Sequence, residues 1–207
     1  MWFWNWCILL FNNSKKLKLM DVFINGKHID LVVLNSEYAE KTQWYNWFNS
    51  EKTTRFMQKH YFPNDKNNQI KFAKEINRSS ENLVLGITLD EKLIGVCGLH
   101  EINLINSNCT LTIIIGEKLS NENITLEVMY LLLKHAFSTL NLFKVKIGQI
   151  KGLKLWTLKL NKEFGFFEEG VLKKDMYKNG KYCDVILSAV FRDEFYNKIK
   201  KSSLDFV

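Results

Sequence analysis

The stretch that decides the fold is residues 108–140, Asn-Cys-Thr-Leu-Thr-Ile-Ile-Ile-Gly-Glu-Lys-Leu-Ser-Asn-Glu-Asn-Ile-Thr-Leu-Glu-Val-Met-Tyr-Leu-Leu-Leu-Lys-His-Ala-Phe-Ser-Thr-Leu. Residues 111–115 are apolar and mostly β-branched, which predicts a buried strand. Residues 116–123 are polar and predict a turn. A long helix is predicted over residues 124–140, because apolar side chains recur there at three- and four-residue spacing.

A strand followed by a loop and a helix leaves the first main-chain N–H groups of the helix without partners inside it. Together with the helix dipole, these N–H groups make a seat for an anion such as a diphosphate. The other interpretation is an ordinary strand–helix unit that binds nothing. The stretch alone leaves both interpretations open.

Composition limits the classes of protein. Hydrophobic residues make up 46% and charged residues 25% of the 207 residues, as in a globular domain. The formal net charge of +7 favours an anionic ligand over a polycation. The four cysteines form no close pair of the metal-binding kind, so we expect no metal site and a reducing, cytoplasmic compartment.

Residues 1–19 differ from the rest of the chain. They open with an apolar, aromatic run that is shorter than a bilayer span, and Lys15, Lys16 and Lys18 follow that run. We expect an N-terminal extension that arises from an over-called start site, with one domain over residues 20–207. The alternative is a segment that lies in a membrane interface. We expect no transmembrane segment.

The remaining pattern predicts an α/β fold. Helices lie between strand pairs, so we expect a mixed sheet of six to seven strands with helices on both faces. Strands are expected at residues 22–34 as a pair hinged at Asn25-Gly26, and at 83–89, 92–99, 111–115, 143–148, 166–172 and 182–190. Helices are expected at residues 36–48, 51–59, 65–77, 124–140, 153–164 and 191–199.

Five motifs in this order resemble the GNAT superfamily of acetyl-CoA-dependent N-acetyltransferases. They are Ile-Gly at 94–95 with Gly-Leu-His-Glu-Ile at 98–102, Ile-Ile-Gly-Glu at 114–117, Leu-Leu-Lys-His-Ala-Phe at 132–137, Glu-Phe-Gly-Phe-Phe-Glu-Glu-Gly at 163–170, and Asn-Gly-Lys-Tyr-Cys-Asp-Val at 179–185. The nearest resemblance is to the RimJ/RimL-like branch, which includes spermidine and nucleotide-amino-sugar N-acetyltransferases. It implies the GNAT fold, with a central strand pair that splays apart.

The resemblance implies acetyl-CoA as co-substrate. The central strand would pair with the pantetheine arm, and the loop and helix start would hold the pyrophosphate. The loop lacks the glycines of the family, so Glu122 must point outward or be offset by Lys118. The coenzyme residues implied in this way are Ile113, Ile114, Ile115, Lys118, Asn121, Glu122, Asn123, Ile124, Thr125, Leu126 and Lys154.

The resemblance also implies catalytic positions. Lys154 and Asn161 stand where the family has an asparagine and a tyrosine, and the tyrosine protonates the departing thiolate. Asparagine has no titrating proton, so Asn161 can only donate a hydrogen bond. Glu101 matches an acidic place at a strand end, with His100 beside it on the opposite face, and either is a candidate base.

The acceptor side is assigned to an aromatic roof and a late strand. The expected substrate-binding residues are Trp44, Trp47, Thr54, Tyr182 and Asp184, although at least one of the two tryptophans is expected to be packing. We expect a small-molecule primary amine as partner, preferably a nucleotide-linked amino sugar, and no nucleic acid. Polyamine or protein N-terminal acetylation and a non-catalytic acyl-CoA-binding module are the alternatives, and a homodimer stays open.

Overall fold

The structure is a computed structural model, and it describes residues 21–55, 57, 62–116, 122–152 and 154–207. The expectation about residues 1–19 lies outside this part of the chain. The strands are β1 (Val22–Asn25), β2 (Asp30–Val33), β3 (Leu83–Leu89), β4 (Lys92–Asn103), β5 (Asn108–Ile115), β6 (Lys144–Ile150), β7 (Phe167–Lys178) and β8 (Lys181–Phe191). The helices are α1 (Ser36–Lys41), α2 (Trp44–Trp47), α3 (Glu51–Thr54), α4 (Lys66–Glu75), α5 (Glu122–Lys134), α6 (Lys154–Phe164) and α7 (Arg192–Ile199).

The eight strands form a single mixed sheet in the order β1-β2-β3-β4-β5-β6-β8-β7. Every neighbouring pair is antiparallel except β5 and β6, which are parallel. The mixed α/β fold is confirmed, and the expected count of six to seven strands is low. The strand pair expected at Asn25-Gly26 forms as β1 and β2 at the edge of the sheet.

Helices cover both faces of the sheet. One face carries α5, α6 and α7 over a core that includes Leu132, Phe164 and Phe195. The other face carries α1, α2 and α4 over a core that includes Tyr38, Trp44 and Ala73. We call these the α5 face and the α1 face. None of the helices in the described residues is long and apolar enough to cross a membrane.

The helix expected over residues 36–48 is broken at Thr42. This residue has extended backbone angles, and its hydroxyl donates to the carbonyl oxygen of Tyr38 at 2.6 Å. The Tyr38 carbonyl also accepts the main-chain N–H of Thr42 at 3.1 Å, so both donors of Thr42 close the last turn of α1 while its extended backbone ends the helix. The break turns the chain and starts α2 at Trp44.

Candidate active site

The parallel strands β5 and β6 pair only at their beginnings. Their ladder joins Asn108 to Lys144, Cys109 to Val145 and Thr110 to Lys146, and it extends no further along β5. Gly116 donates its N–H to the carbonyl of Ile94 on β4 at 2.8 Å. In an antiparallel pair, the main-chain N–H and C=O groups of successive residues point alternately towards the partner strand and away from it. Because Gly116 points towards β4, the main-chain groups of residues 111, 113 and 115 point away from β4, into the gap between β5 and β6. The predicted splay is confirmed, and we call the point of divergence the fork.

Two helices wall the gap on the α5 face. Helix α5 begins at Glu122, so its first N–H groups lie at the end of the loop that follows β5. Helix α6 follows β6, and its Lys159 Nζ lies 2.8 Å from the Glu122 carboxylate. The charge of Glu122 is therefore offset by Lys159, a residue that the sequence did not single out.

The predicted coenzyme residues fall into three groups. Ile113 and Ile115 pack towards the α5 face, whereas Ile114 packs towards the α1 face, as expected for side chains that alternate along a strand. Glu122, Asn123 and Ile124 form the first turn of α5, at the positive end of the helix dipole. Thr125 and Leu126 follow that turn, at positions where the amides of an α-helix have partners inside the helix.

Three of the expected coenzyme positions lie wholly or partly outside the described residues. Lys118 and Asn121 fall within residues 117–121, so the loop that should cradle the diphosphate is not described. Lys154 is the first residue of α6, and its side chain is also outside the described part. These assignments stay predictions.

The two candidate bases reach the same face of the sheet. The register of β4 against β5 shifts between His100 and Asn103, and Glu101 has a φ of +52°. His100 Nε2 lies 2.8 Å from the hydroxyl of Thr112, and the Thr110 hydroxyl donates to Glu101 Oε2 at 3.3 Å. Since Thr110 and Thr112 share one face of β5, the expectation of opposite faces is wrong. It failed because strict alternation does not survive a β-bulge.

His100 is held from both sides. Its Nδ1 lies 3.2 Å from the side-chain oxygen of Asn82, at the start of β3, while Nε2 meets Thr112. A Cβ atom at Gly98 would come within 3.0 Å of His100 Nε2, so the ring lies directly over that glycine. Within the bulge, Glu101 remains exposed. A half-buried imidazole and an exposed carboxylate therefore flank the fork on the α1 face.

Asn161 is not brought together with these bases. It lies near the end of α6, on the α5 face, and its side-chain amide donates to the carbonyl of Phe166 at 2.8 Å. Gly165, with a φ of +84°, returns its N–H to the Asn161 carbonyl at 2.9 Å. Asn161 thus takes part in the C-terminal cap of the helix.

Of the residues that were expected to bind the acceptor substrate, Trp47 is the best placed to do so. A Cβ atom at Gly116 would come within 2.8 Å of the Trp47 ring, so the indole covers the end of β5 where the gap opens. Trp44 is 1% exposed and packs at 6.0 Å against Phe72, which leaves it no face for a ligand. Thr54 is fully buried and donates its hydroxyl to Ser50 O at 2.7 Å. Both are therefore part of the packing.

The remaining two, Tyr182 and Asp184, lie on the other side of β8. Lys178 lies at the tip of the β7–β8 hairpin. Its ammonium donates a hydrogen bond to the carbonyl of Met57, just beyond α3, so the side chain faces the early helices. Lys178 pairs with Lys181, whereas Tyr182 and Asp184 occupy the alternate positions. The structure therefore does not bring them together with Trp47.

The Asp184 carboxylate is held by the chain itself. It accepts the main-chain N–H of Lys174 at 3.0 Å and the Lys173 ammonium at 3.1 Å. The Lys174 N–H and the Lys173 ammonium together hold the pKa of Asp184 below its usual value, and Lys151 adds a smaller contribution. Asp184 therefore fixes the bulge of β7, where Lys174 has a φ of +54°.

Comparison with known proteins gives the family. The acetyltransferase (GNAT) domain matches residues 31–152, more than half of the 207 residues. The chain belongs to the GNAT acetyltransferase family. It is accordingly an acetyl-CoA-dependent N-acetyltransferase, as the motif order predicted.

The relatives of this acetyltransferase include polyamine enzymes. It is 27% identical over 128 residues to the spermidine N(1)-acetyltransferase of Vibrio cholerae serotype O1, covering 61% of this chain and 73% of that one. The solved structure of spermidine N-acetyltransferase from Vibrio cholerae in complex with CoA and spermine matches with a TM-score of 0.72 and 22% identity, covering 82% and 99%. Microcin C7 self-immunity acetyltransferase MccE, in complex with acetyl-CoA and AMP, matches with a TM-score of 0.67 and 22% identity, covering 80% and 93%.

Proposed function

We propose that this acetyltransferase, a member of the RimJ/RimL-like branch, acetylates the primary amine of a nucleotide-linked amino sugar. The observation that carries the proposal is the fork. It offers an open β5 edge to the coenzyme, and on the α1 face it offers two bases to an incoming amine. We also propose a reducing, cytoplasmic location, in keeping with the buried free thiols of Cys97 and Cys109.

The residues around the gap fit acetyl-CoA. The main-chain groups of Leu111, Ile113 and Ile115 can pair with the amides of the pantetheine arm as a further strand would. The N-terminus of α5 and the ammonium of Lys159 offer positive charge to the diphosphate. When bound, acetyl-CoA supplies the activated acyl group.

The chain's own groups then serve the acceptor. Glu101 or His100 removes a proton from the ammonium form of the acceptor, directly or through one water, because only a neutral amine attacks a thioester. A β5 N–H group that faces the gap donates to the oxygen that becomes negative during attack. The amide of Asn161 cannot supply a titrating proton, so we propose that water protonates the departing thiolate.

The choice of acceptor rests on charge and shape. The net charge of +7 suits a substrate that bears a diphosphate, and the half-buried Trp47 offers an aromatic surface at the end of the gap. A polyamine is the second candidate, because the Vibrio cholerae relative is a spermidine acetyltransferase. UDP-glucosamine and spermidine are the direct competitors in an assay of CoA thiol release.

Calorimetry with acetyl-CoA, followed by thiol release on both amines, tests the proposal. We expect binding and turnover, with Glu101→Gln or His100→Gln lowering kcat/KM by about 10²-fold, a typical value for loss of an acid–base group. The exposed Glu40 of α1 provides the control, and Glu40→Gln should leave turnover unchanged. Binding of acetyl-CoA without turnover of any amine would favour a non-catalytic module instead.

A further inference from the structure

Lys146 stands at the fork itself. It pairs with Thr110 in the last step of the β5–β6 ladder and with Ala189 on β8. Partner residues in a ladder share a face, so the Lys146 side chain leaves the sheet on the same side as Thr110 and His100. Burial raises the pKa of the neighbouring Cys109 thiol to about 12, although the positive charge of Lys146 acts to lower that pKa.

Lys146 as a residue is half-buried, and within the described residues its ammonium has no hydrogen bond and no ion pair. Two other charged groups on β6 and β8 are engaged. Lys144 of β6 pairs with Glu169 of β7, and Asp184 of β8 pairs with Lys173. A partly desolvated cation without a partner is unfavourable, and an anion beside it would relieve that cost.

We propose that Lys146 binds an anionic group of the acceptor, so that the acceptor is an amine that also carries a phosphate or a carboxylate. This deepens the proposed function, on which it rests. The amine of such a molecule meets His100 and Glu101, while its anionic group meets Lys146 a short distance along the same face. A polyamine, which is cationic along its whole length, is repelled at this position.

Two matched substrate pairs test the proposal. Glucosamine 6-phosphate differs from glucosamine by one phosphate, and lysine differs from cadaverine by one carboxylate. We expect the wild type to use the anionic member of at least one pair with a kcat/KM about tenfold higher, as a charge-assisted hydrogen bond allows. The pair that shows the preference identifies the anion as phosphate or carboxylate.

The variants separate Lys146 from general effects of charge. Lys146→Met should abolish the preference by lowering kcat/KM for the anionic member of the pair, and Lys146→Arg should keep the preference. Lys200→Met removes a charge at the end of α7, on the α5 face, and should also keep it. A preference that is absent in the wild type, or unchanged in Lys146→Met, overturns the proposal.

If the protein acetylates none of these amines, a binding experiment still tests the proposed anion site at Lys146. Absence of turnover with every amine would contradict the proposed function, but it would leave binding measurable. Calorimetry of glucosamine 6-phosphate and of glucosamine, with CoA-saturated protein, should then show tighter binding of the phosphate in the wild type than in Lys146→Met. Equal binding of the two sugars by the wild type overturns the subsite independently of turnover.

Discussion

At the scale of the residue, the role open to a carboxylate depends on whether donors of the protein itself already bind it. Asp184 was expected to hold an amine substrate, and it accepts instead from the Lys174 N–H and the Lys173 ammonium. Among the described residues, Glu101 has only the hydroxyl of Thr110 as a partner, at 3.3 Å, and it stays exposed. The two carboxylates that the sequence assigned to the amine thus differ, because donors of the chain itself hold Asp184 whereas Glu101 is exposed.

We expect Asp184→Asn to lower the thermal stability at neutral pH and to change the KM for the amine little. The folded-state pKa of Asp184 lies below its ordinary value of 3.8. Its carboxylate therefore stabilises the fold above pH 3.8, and this contribution is lost as the pH falls through the lowered pKa. Melting curves should show a deficit relative to wild type at pH 7 that vanishes at the acid end.

Asp175, in the same strand, supplies the control for that measurement. It is exposed and has no hydrogen bond or ion pair within the described part of the chain. Asp175→Asn should melt like the wild type at every pH. A KM for the amine that rises tenfold in Asp184→Asn, with no change in melting, would assign Asp184 to the substrate after all.

At the scale of the element, helices α5 and α6 create the coenzyme side of the gap. Each follows a strand of the splayed pair, and the Glu122–Lys159 contact joins them at 2.8 Å. The sequence before α5 at residues 117–121 contains no glycine, and Glu122 lies in the first turn of the helix. Lys159 compensates for that residue across the gap.

We expect Lys159→Met to weaken the binding of acetyl-CoA about fivefold, because Glu122 is then left facing the diphosphate without a partner. Glu122→Lys should tighten binding by a similar factor, corresponding to ~1 kcal/mol at a solvated helix N-terminus. Calorimetry at low salt measures both changes. Lys162→Met, three residues further along α6 with a side chain 82% exposed, is the control and should bind as the wild type does. Unchanged affinity in both variants would remove the α5 N-terminus from the diphosphate site.

At the scale of the whole molecule, one buried carboxylate connects three distant parts of the chain. Glu127 of α5 is 1% exposed and accepts the N–H groups of Lys27 and His28 at 2.6 and 2.9 Å. It also meets His28 Nδ1 at 2.8 Å, while His28 Nε2 lies 3.2 Å from Asp205 near the C-terminus. The turn between β1 and β2 and the last residues are thereby fixed to the central helix.

We expect Glu127→Ala to lower the free energy of unfolding by about 3–5 kcal/mol, because it leaves two main-chain N–H groups and the imidazole without their acceptor. Urea denaturation at pH 7 measures the change. Glu40→Ala on the exposed side of α1 should stay within about 0.5 kcal/mol of wild type. If Glu127→Ala unfolds at the same urea concentration as this control, the connection does not stabilise the fold.

The sequence determined the fold class and the order of elements, and the family resemblance of its motifs implied the splay between the strand at residues 111–115 and the strand at residues 145–148. These follow from local properties, namely the alternation of apolar residues, helical spacing and turn chemistry, together with a motif order that covers most of the chain. The sequence also indicated His100, Glu101 and Trp47, because each stands within or beside a motif. It placed Trp44 and Thr54 at the substrate because it cannot show that a side chain is buried.

Only the tertiary structure decided which of these residues share a face. The bulge after His100 brings the two candidate bases to one side of the sheet, and the pattern of residue types did not predict that bulge. The pairing of Thr110 with Lys146 and of Glu122 with Lys159 joins residues more than 30 positions apart in the chain. Such pairs are set by strand register and helix packing, which depend on the summed contacts of the whole domain and not on the neighbours of any one residue.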